Sequence, residues 1–199
     1  MSPSAPPATP GRSDWLDEIS RLDVALYGAI AATPTPELDR CFRALSRAAD
    51  HSKLWIAAAG ALAATGGRRG RRAAVAGVAS IAVTSAVVNL LFKPLSRRRR
   101  PDRRTYDVPA ARRVSMPHST SFPSGHAASA SAFATAVGIV LPRAGMPLTA
   151  TAALVAYSRV HTGVHYPGDV IAGSVIGAAL APAVVAALDR RWPPAPYTR

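Results

Sequence analysis

The sequence predicts an all-α fold, a polytopic transmembrane helical bundle of five spans, possible also as six. Long uncharged runs, small apolar residues within them and sharp punctuation between them carry that prediction. No charged side chain occurs from Ala73 to Phe92, a run of twenty, or from Val170 to Leu188, a run of nineteen. About 20 residues of helix cross the hydrocarbon of a bilayer. Gly77, Ser80, Thr84 and Ser85 interrupt the first run, yet neither run has the polar face of helical period expected of a soluble amphipathic helix. Leu54–Gly67, Ala127–Leu141 and Ala144–Ser158 are shorter uncharged stretches, bounded by Arg, Lys, Pro or Gly, and they complete the five. Their Gly, Ala and Ser content suits close helix contact in lipid.

The elements follow in order along a chain of 199 residues, long enough for one domain. Residues 1–13, MSPSAPPATPGRS, lack the hydrophobic run of a secretory signal and are expected to be a disordered tail. Residues 14–52 hold two amphipathic helices. From Asp14 to Ala32, Trp15, Leu16, Ile19, Leu22, Leu26 and Ile30 follow helical spacing, with Asp17, Glu18, Arg21 and Asp23 opposite. The TPTP stretch at Thr33–Pro36 breaks that helix, and Leu38, Cys41, Phe42 and Leu45 mark a second over Glu37–Ala49. Such helices lie on a membrane surface or cap a bundle. Pushing the first one across would make the sixth span. Residues 53–189 form the transmembrane domain, and 190–199, with WPPAPYTR, a C-terminal tail.

Composition narrows the partners. The formal charge of +13 comes almost entirely from arginine, since Lys53 and Lys93 are the only lysines, and an Arg- and Ala-rich chain points to a bacterial source. Arg97–Arg99, Arg103, Arg104, Arg112 and Arg113 beside a span favour anionic lipid headgroups or a polyanionic substrate, with no nucleic acid. Cys41 is alone, so no disulfide forms within the chain, and it is expected as a small buried or interfacial residue. His161 and His165 have the spacing of a helical metal pair, but no third ligand pattern accompanies them. His51 and His118 read as surface residues, and Gly173–Gly177 as a close helix-packing pair.

Three polar patches remain: KPLSRRRRP from Lys93, PSGH from Pro123 and SRVHTGVHYPGD from Ser158. Alternating five spans brings all three to one membrane face. Ser124 caps the third span, where first-turn N–H groups bind anions, and Gly125 lets a phosphate approach the backbone. Arg159, at the end of the fourth span, calls for a partner or a bound anion. Asp169 follows His165 by four residues, so it can hold one imidazole nitrogen and leave the other free to attack. Alone, PSGH fits a helix cap and the His–Asp pair a structural hydrogen bond. Neither accounts for Lys93, Arg100 and Arg159 on the same face.

In order and spacing these patches resemble the three signature motifs of the type 2 phosphatidic acid phosphatase family. Lys93, Arg100 and Pro101 meet the first, Pro123–His126 the second, and Ser158, Arg159, His165 and Asp169 the third. The resemblance spans roughly residues 54–188 and implies a membrane-embedded lipid phosphatase. It implies that His165 attacks phosphorus to give a phosphohistidine, His126 protonates the leaving oxygen and Asp169 orients His165. Lys93, Arg100, Ser124, Gly125 and Arg159 would hold the phosphate, with no metal and no cofactor. Vanadium haloperoxidases share these residues but are larger and soluble, and a non-catalytic lipid-phosphate binding or transport protein is the alternative. Undecaprenyl diphosphate, phosphatidic acid, phosphatidylglycerophosphate and a polyprenyl-phosphoryl pentose phosphate all fit as substrate. The expected location is a bacterial plasma membrane. A 52-residue N-terminal segment without a signal argues for a cytoplasmic site, while the tight GGRRGRR loop argues for its opposite, and the reading leans to an extracytoplasmic site.

Overall fold

The computed structural model describes residues 12–193; most of the two expected tails, 1–11 and 194–199, lies outside the described residues. Seven helices carry the chain, with no strand among the described residues. They are α1 Arg12–Ala32, α2 Pro36–Ala48, α3 Lys53–Thr65, α4 Gly67–Leu95, α5 Gly125–Val140, α6 Pro142–His161 and α7 Pro167–Arg191. Each uncharged stretch of the sequence falls on one of the helices α3 to α7. By length and composition α4 and α7 are long and apolar enough to cross a membrane, and α5 is a shorter apolar helix.

Helix α5 is the centre of the bundle and packs against α4, α6 and α7. Its Ala127, Ala130, Phe133, Ala136 and Val137 are buried, because small side chains let three neighbours reach its backbone. The closest approach is at Gly173 and Gly177 of α7. A Cβ there would stand 2.4 Å from the Ser124 carbonyl oxygen and 2.0 Å from that of Ala128. The expected packing role of this pair is therefore met inside one chain. Gly77 of α4 likewise leaves room for the Phe133 ring, which lies against Trp55 of α3. Val75, Val78, Val83, Leu154, Ile171 and Val175 face outward and form an apolar exterior.

The N-terminal helices sit at the end of the bundle that carries the polar patches. On α1, Trp15, Leu16, Ile19, Leu22 and Leu26 are exposed along one face, whereas Tyr27 is buried against Tyr106 and Tyr166. Phe42 of α2 packs on Tyr157 and His161 of α6. Cys41 departs from expectation: it is exposed, because α2 turns Phe42 and Leu45 inward and leaves Cys41 outside that contact.

The arginines of the long α4–α5 connection need the larger correction. Read from sequence as contacts for lipid or substrate, several are internal fasteners. Arg112 is fully buried, with Nε donating to Asp39 at 2.7 Å and Nη2 to Thr33 O at 2.5 Å and Thr35 Oγ1 at 3.0 Å. It clasps the α1–α2 corner. Arg103 donates to Gly163 O and Val114 O, and Arg113 to Val108 O. Backbone carbonyls in a loop need donors, and guanidinium groups supply several in fixed geometry.

Candidate active site

Every sequence-predicted site residue lies at one end of the bundle, delivered by a helix end or by the connection beside one. Lys93 ends α4, after a π-helical segment at Val88–Phe92, and Arg100 follows in the connection. Ser124 is the N-cap of α5, its hydroxyl accepting weakly from the Ala127 N–H at 3.5 Å. Gly125 and His126 occupy the first turn, where N–H groups have no partner within the helix. Arg159 lies near the end of α6, His165 in the turn beyond it, and Asp169 in the first turn of α7. Gly163 makes that turn possible with φ at +71°, and a side chain there would press on Arg103 and Tyr27.

His165 is buried and held from two sides. Its Nε2 is 3.1 Å from Arg100 Nη1, and its Nδ1 is 3.5 Å from Asp169 Oδ2, at the outer limit of a hydrogen bond. A guanidinium can only donate, so Nε2 must present its lone pair and the ring proton belongs on Nδ1, facing the carboxylate. Burial, reinforced by Arg100 and Arg159 and only partly offset by Asp169, pushes the imidazole down to about 4. Arg100 is fixed in turn by Val164 O at 2.8 Å and by Ser119 O at 2.9 Å, and Lys93 Nζ shares the Ser119 hydroxyl at 3.1 Å.

Asp169 is more heavily tied than its spacing from His165 suggests. Arg98 Nη1 donates to Oδ1 at 2.8 Å, while Ser121 Oγ and the Tyr166 N–H donate to Oδ2. The Asp169 carbonyl accepts the Ser124 N–H at 2.9 Å, coupling the start of α7 to the cap of α5. Arg98 also bonds Asp23 of α1 at 2.5 Å, and Asp23 accepts the Gly168 N–H. The arginine expected to face headgroups thus orients the carboxylate behind His165.

On the other side of the site the sequence reading missed Asp50. This residue leaves the α2–α3 corner just before His51 and Ser52, both left-handed at φ 54° and 59°. Asp50 Oδ1 is 2.9 Å from His126 Nε2 and 3.6 Å from Arg159 Nη1. Buried Arg159 donates to Ser46 Oγ at 2.6 Å, and its Nε has no partner among the described residues. An arginine buried with an unmet donor suits an anion. Asp23, Ser46, Asp50, Arg98, Ser119 and Ser121 are the additions to the predicted set. His161 separates from His165, since α6 ends at His161, whose Nε2 pairs with Asp39 at 3.0 Å. Among the described residues no three His, Cys, Asp or Glu side chains converge.

Known proteins match this chain in sequence and in fold. The PAP2 superfamily profile matches residues 73–193. The decaprenylphosphoryl-5-phosphoribose phosphatase of Mycobacterium tuberculosis is 37% identical over 164 residues, covering 79% of this chain and 86% of that one. Aquifex aeolicus LpxE superposes with a TM-score of 0.66 at 26% identity, over 83% of this chain and 95% of that one. A transmembrane PAP2 type phosphatidylglycerolphosphate phosphatase from Bacillus subtilis shares the fold, with a TM-score of 0.64 at 22% identity over 88% of each chain.

Proposed function

The chain belongs to the PAP2 superfamily and is an ester hydrolase of lipid phosphates, and from that premise we propose that it removes the terminal phosphate of a polyprenyl-phosphoryl pentose phosphate. The pentose is favoured by the likeness to the mycobacterial phosphatase, which extends over most of both chains. In this reading α3 to α7 are five spans of a bacterial plasma membrane, α1 and α2 cap one end, and the site faces away from the cytoplasm. The outward apolar side chains of α4, α6 and α7 support the spans.

One observation carries the mechanism: His165 sits with its Nε2 lone pair among the cations and its Nδ1 toward Asp169. That lone pair attacks phosphorus. A P–N bond forms, the bond from phosphorus to the pentose oxygen breaks, and His126 gives its proton to that oxygen. Water then attacks the phosphohistidine, His126 takes a proton back, and inorganic phosphate leaves with His165 restored. Lys93, Arg100 and Arg159 meet the charge on the phosphate oxygens, joined by the first-turn N–H groups at Gly125 and by the Ser124 hydroxyl. The Ser124 N–H is already given to Asp169, so its part is the hydroxyl. These cations supply what magnesium supplies in kinases, and turnover is metal-independent.

The test uses detergent-purified protein and polyprenyl-phosphoryl ribose bearing radiophosphorus at its terminal phosphate. Release of phosphate in excess chelator is expected, with an acid-labile, alkali-stable label trapped on the protein after rapid quenching. His165→Ala should abolish both signals. His126→Ala should slow turnover by about 10²–10⁴-fold and most for poor leaving groups. Rescue of a chelator-treated enzyme by magnesium, or a His165→Ala variant that still turns over, would overturn the mechanism.

A further inference from the structure

We propose that the cavity beside His126 is a leaving-group pocket that reads the hydroxyl groups of the pentose ring; the inference rests on the phosphatase reading above. The cavity, of about 200 Å³, lies between the α2–α3 corner and helices α3, α4 and α5. Lys93, Gly125 and His126 line it, while His165 and Arg100 do not. In an in-line displacement the leaving oxygen departs opposite the nucleophile, so a group protonated by His126 extends into this space and not toward His165.

The lining has the chemistry of a polyol site. Ser52, Ser85, Asn89 and Ser129 contribute hydroxyl or amide groups, with Trp55 as the apolar wall. Ser85 Oγ and Ser129 Oγ are 3.3 Å apart, so one hydroxyl donates to the other and a donor remains for a ligand. Asn89 Nδ2 is committed to Ser85 O at 2.8 Å, which leaves its carbonyl oxygen as an acceptor. A vicinal diol asks for such a donor and acceptor side by side.

The backbone supports the same assignment. Asn89 and Ser85 stand in the apolar run of α4, Ser85 half-buried and Asn89 exposed. Asn89 also falls in the π-helical segment Val88–Phe92, a geometry that turns one residue out of the regular helical register and recurs at functional sites.

The experiment compares kcat/KM of full-length enzyme for a short-chain polyprenyl-phosphoryl ribose 5-phosphate and for dioctanoyl phosphatidic acid. In Asn89→Leu and Ser129→Ala the ribose-to-diacylglycerol ratio should fall about tenfold for each hydrogen bond lost, chiefly through KM. Because the readout is a ratio, loss of folded protein cancels from it. Variants that lower both substrates equally, or neither, overturn the pocket while leaving the phosphatase reading intact. Wild-type enzyme that turns over neither lipid overturns both.

Discussion

Which imidazole nitrogen of His165 keeps its lone pair decides what this site can do. The Arg100 guanidinium fixes the answer, since it can only donate to Nε2. Burial sets the pH range in which that answer holds. A solvated histidine is half protonated near about 6.5. Here burial pushes the group down to about 4, so the protonated, non-nucleophilic form exists only in acid. The sign follows directly: a lowered value keeps Nε2 free at neutral pH, and activity is lost as the pH falls through about 4. The acid limb of kcat/KM, which reports the free enzyme, should therefore lie well below that of a solvated histidine. A limb near about 6.5 that stays in place when the substrate's own phosphate ionisation is changed, measured on protein shown to remain folded, would remove buried His165 as the nucleophile. Ser121 and Arg98 explain why the carboxylate partner is held so firmly. Each bonds Asp169 directly, and neither was visible in the spacing of the third motif.

Between elements, the contact that aligns the site is α5 against α7. Ser124 and Asp169 share a backbone hydrogen bond, and Gly173 and Gly177 let the two helices close on it. A Gly177→Leu change places its Cβ 2.0 Å from a backbone carbonyl that cannot rotate away. Overpacking of this kind costs about 1–3 kcal/mol, occasionally more. The variant should lose thermal stability in detergent and activity together, whereas Gly60→Leu, where a Cβ meets nothing, should change stability little. Equal stability of the two variants would mean that α5 and α7 do not depend on this approach. The glycine pair was legible in sequence, as were the five helical stretches, because hydropathy and small-residue spacing are local properties. Lys93, His126, Arg159, His165 and Asp169 were legible because charged or titratable side chains are conspicuous beside apolar runs, and Arg100, Ser124 and Gly125 because the spacing of the motifs points to them. Asp50 was not. It lies 76 residues from His126 and at the end of an amphipathic stretch that already carried several charges. Arg98 and Arg112 were misjudged for a related reason. In sequence a buried fastener and an exposed cation in the same basic run look alike, and only the partners Asp23, Asp39 and Asp169 distinguish them.

For the whole molecule the open proposal is orientation, and the structure changes how its charges weigh. Orientation follows Lys and Arg close to span ends, with short loops counting most. Many cations at the site end are committed inward: Arg98 to Asp23 and Asp169, Arg112 to Asp39, Arg103 and Arg113 to loop carbonyls. Lys93, Arg100 and Arg159 are assigned to the phosphate. The opposite end carries Arg68, Arg69, Arg71 and Arg72 at the tight α3–α4 corner, with Arg190 and Arg191 closing α7. Arg72 pairs with Asp189, but acidic residues contribute little to topology. On this weighting we propose that the corner lies in the cytoplasm and the site outside it. Ser115 is exposed in the α4–α5 connection at the site end, and no hydrogen bond to its side chain is found among the described residues. With exposed Cys41 changed to Ser, a Ser115→Cys protein carries one thiol on the face in question. Labelling by an impermeant maleimide in intact cells is expected, at the same extent as after lysis. A thiol that reacts only once the cells are opened would turn the molecule over, and the tight arginine corner would then lie outside the cytoplasm.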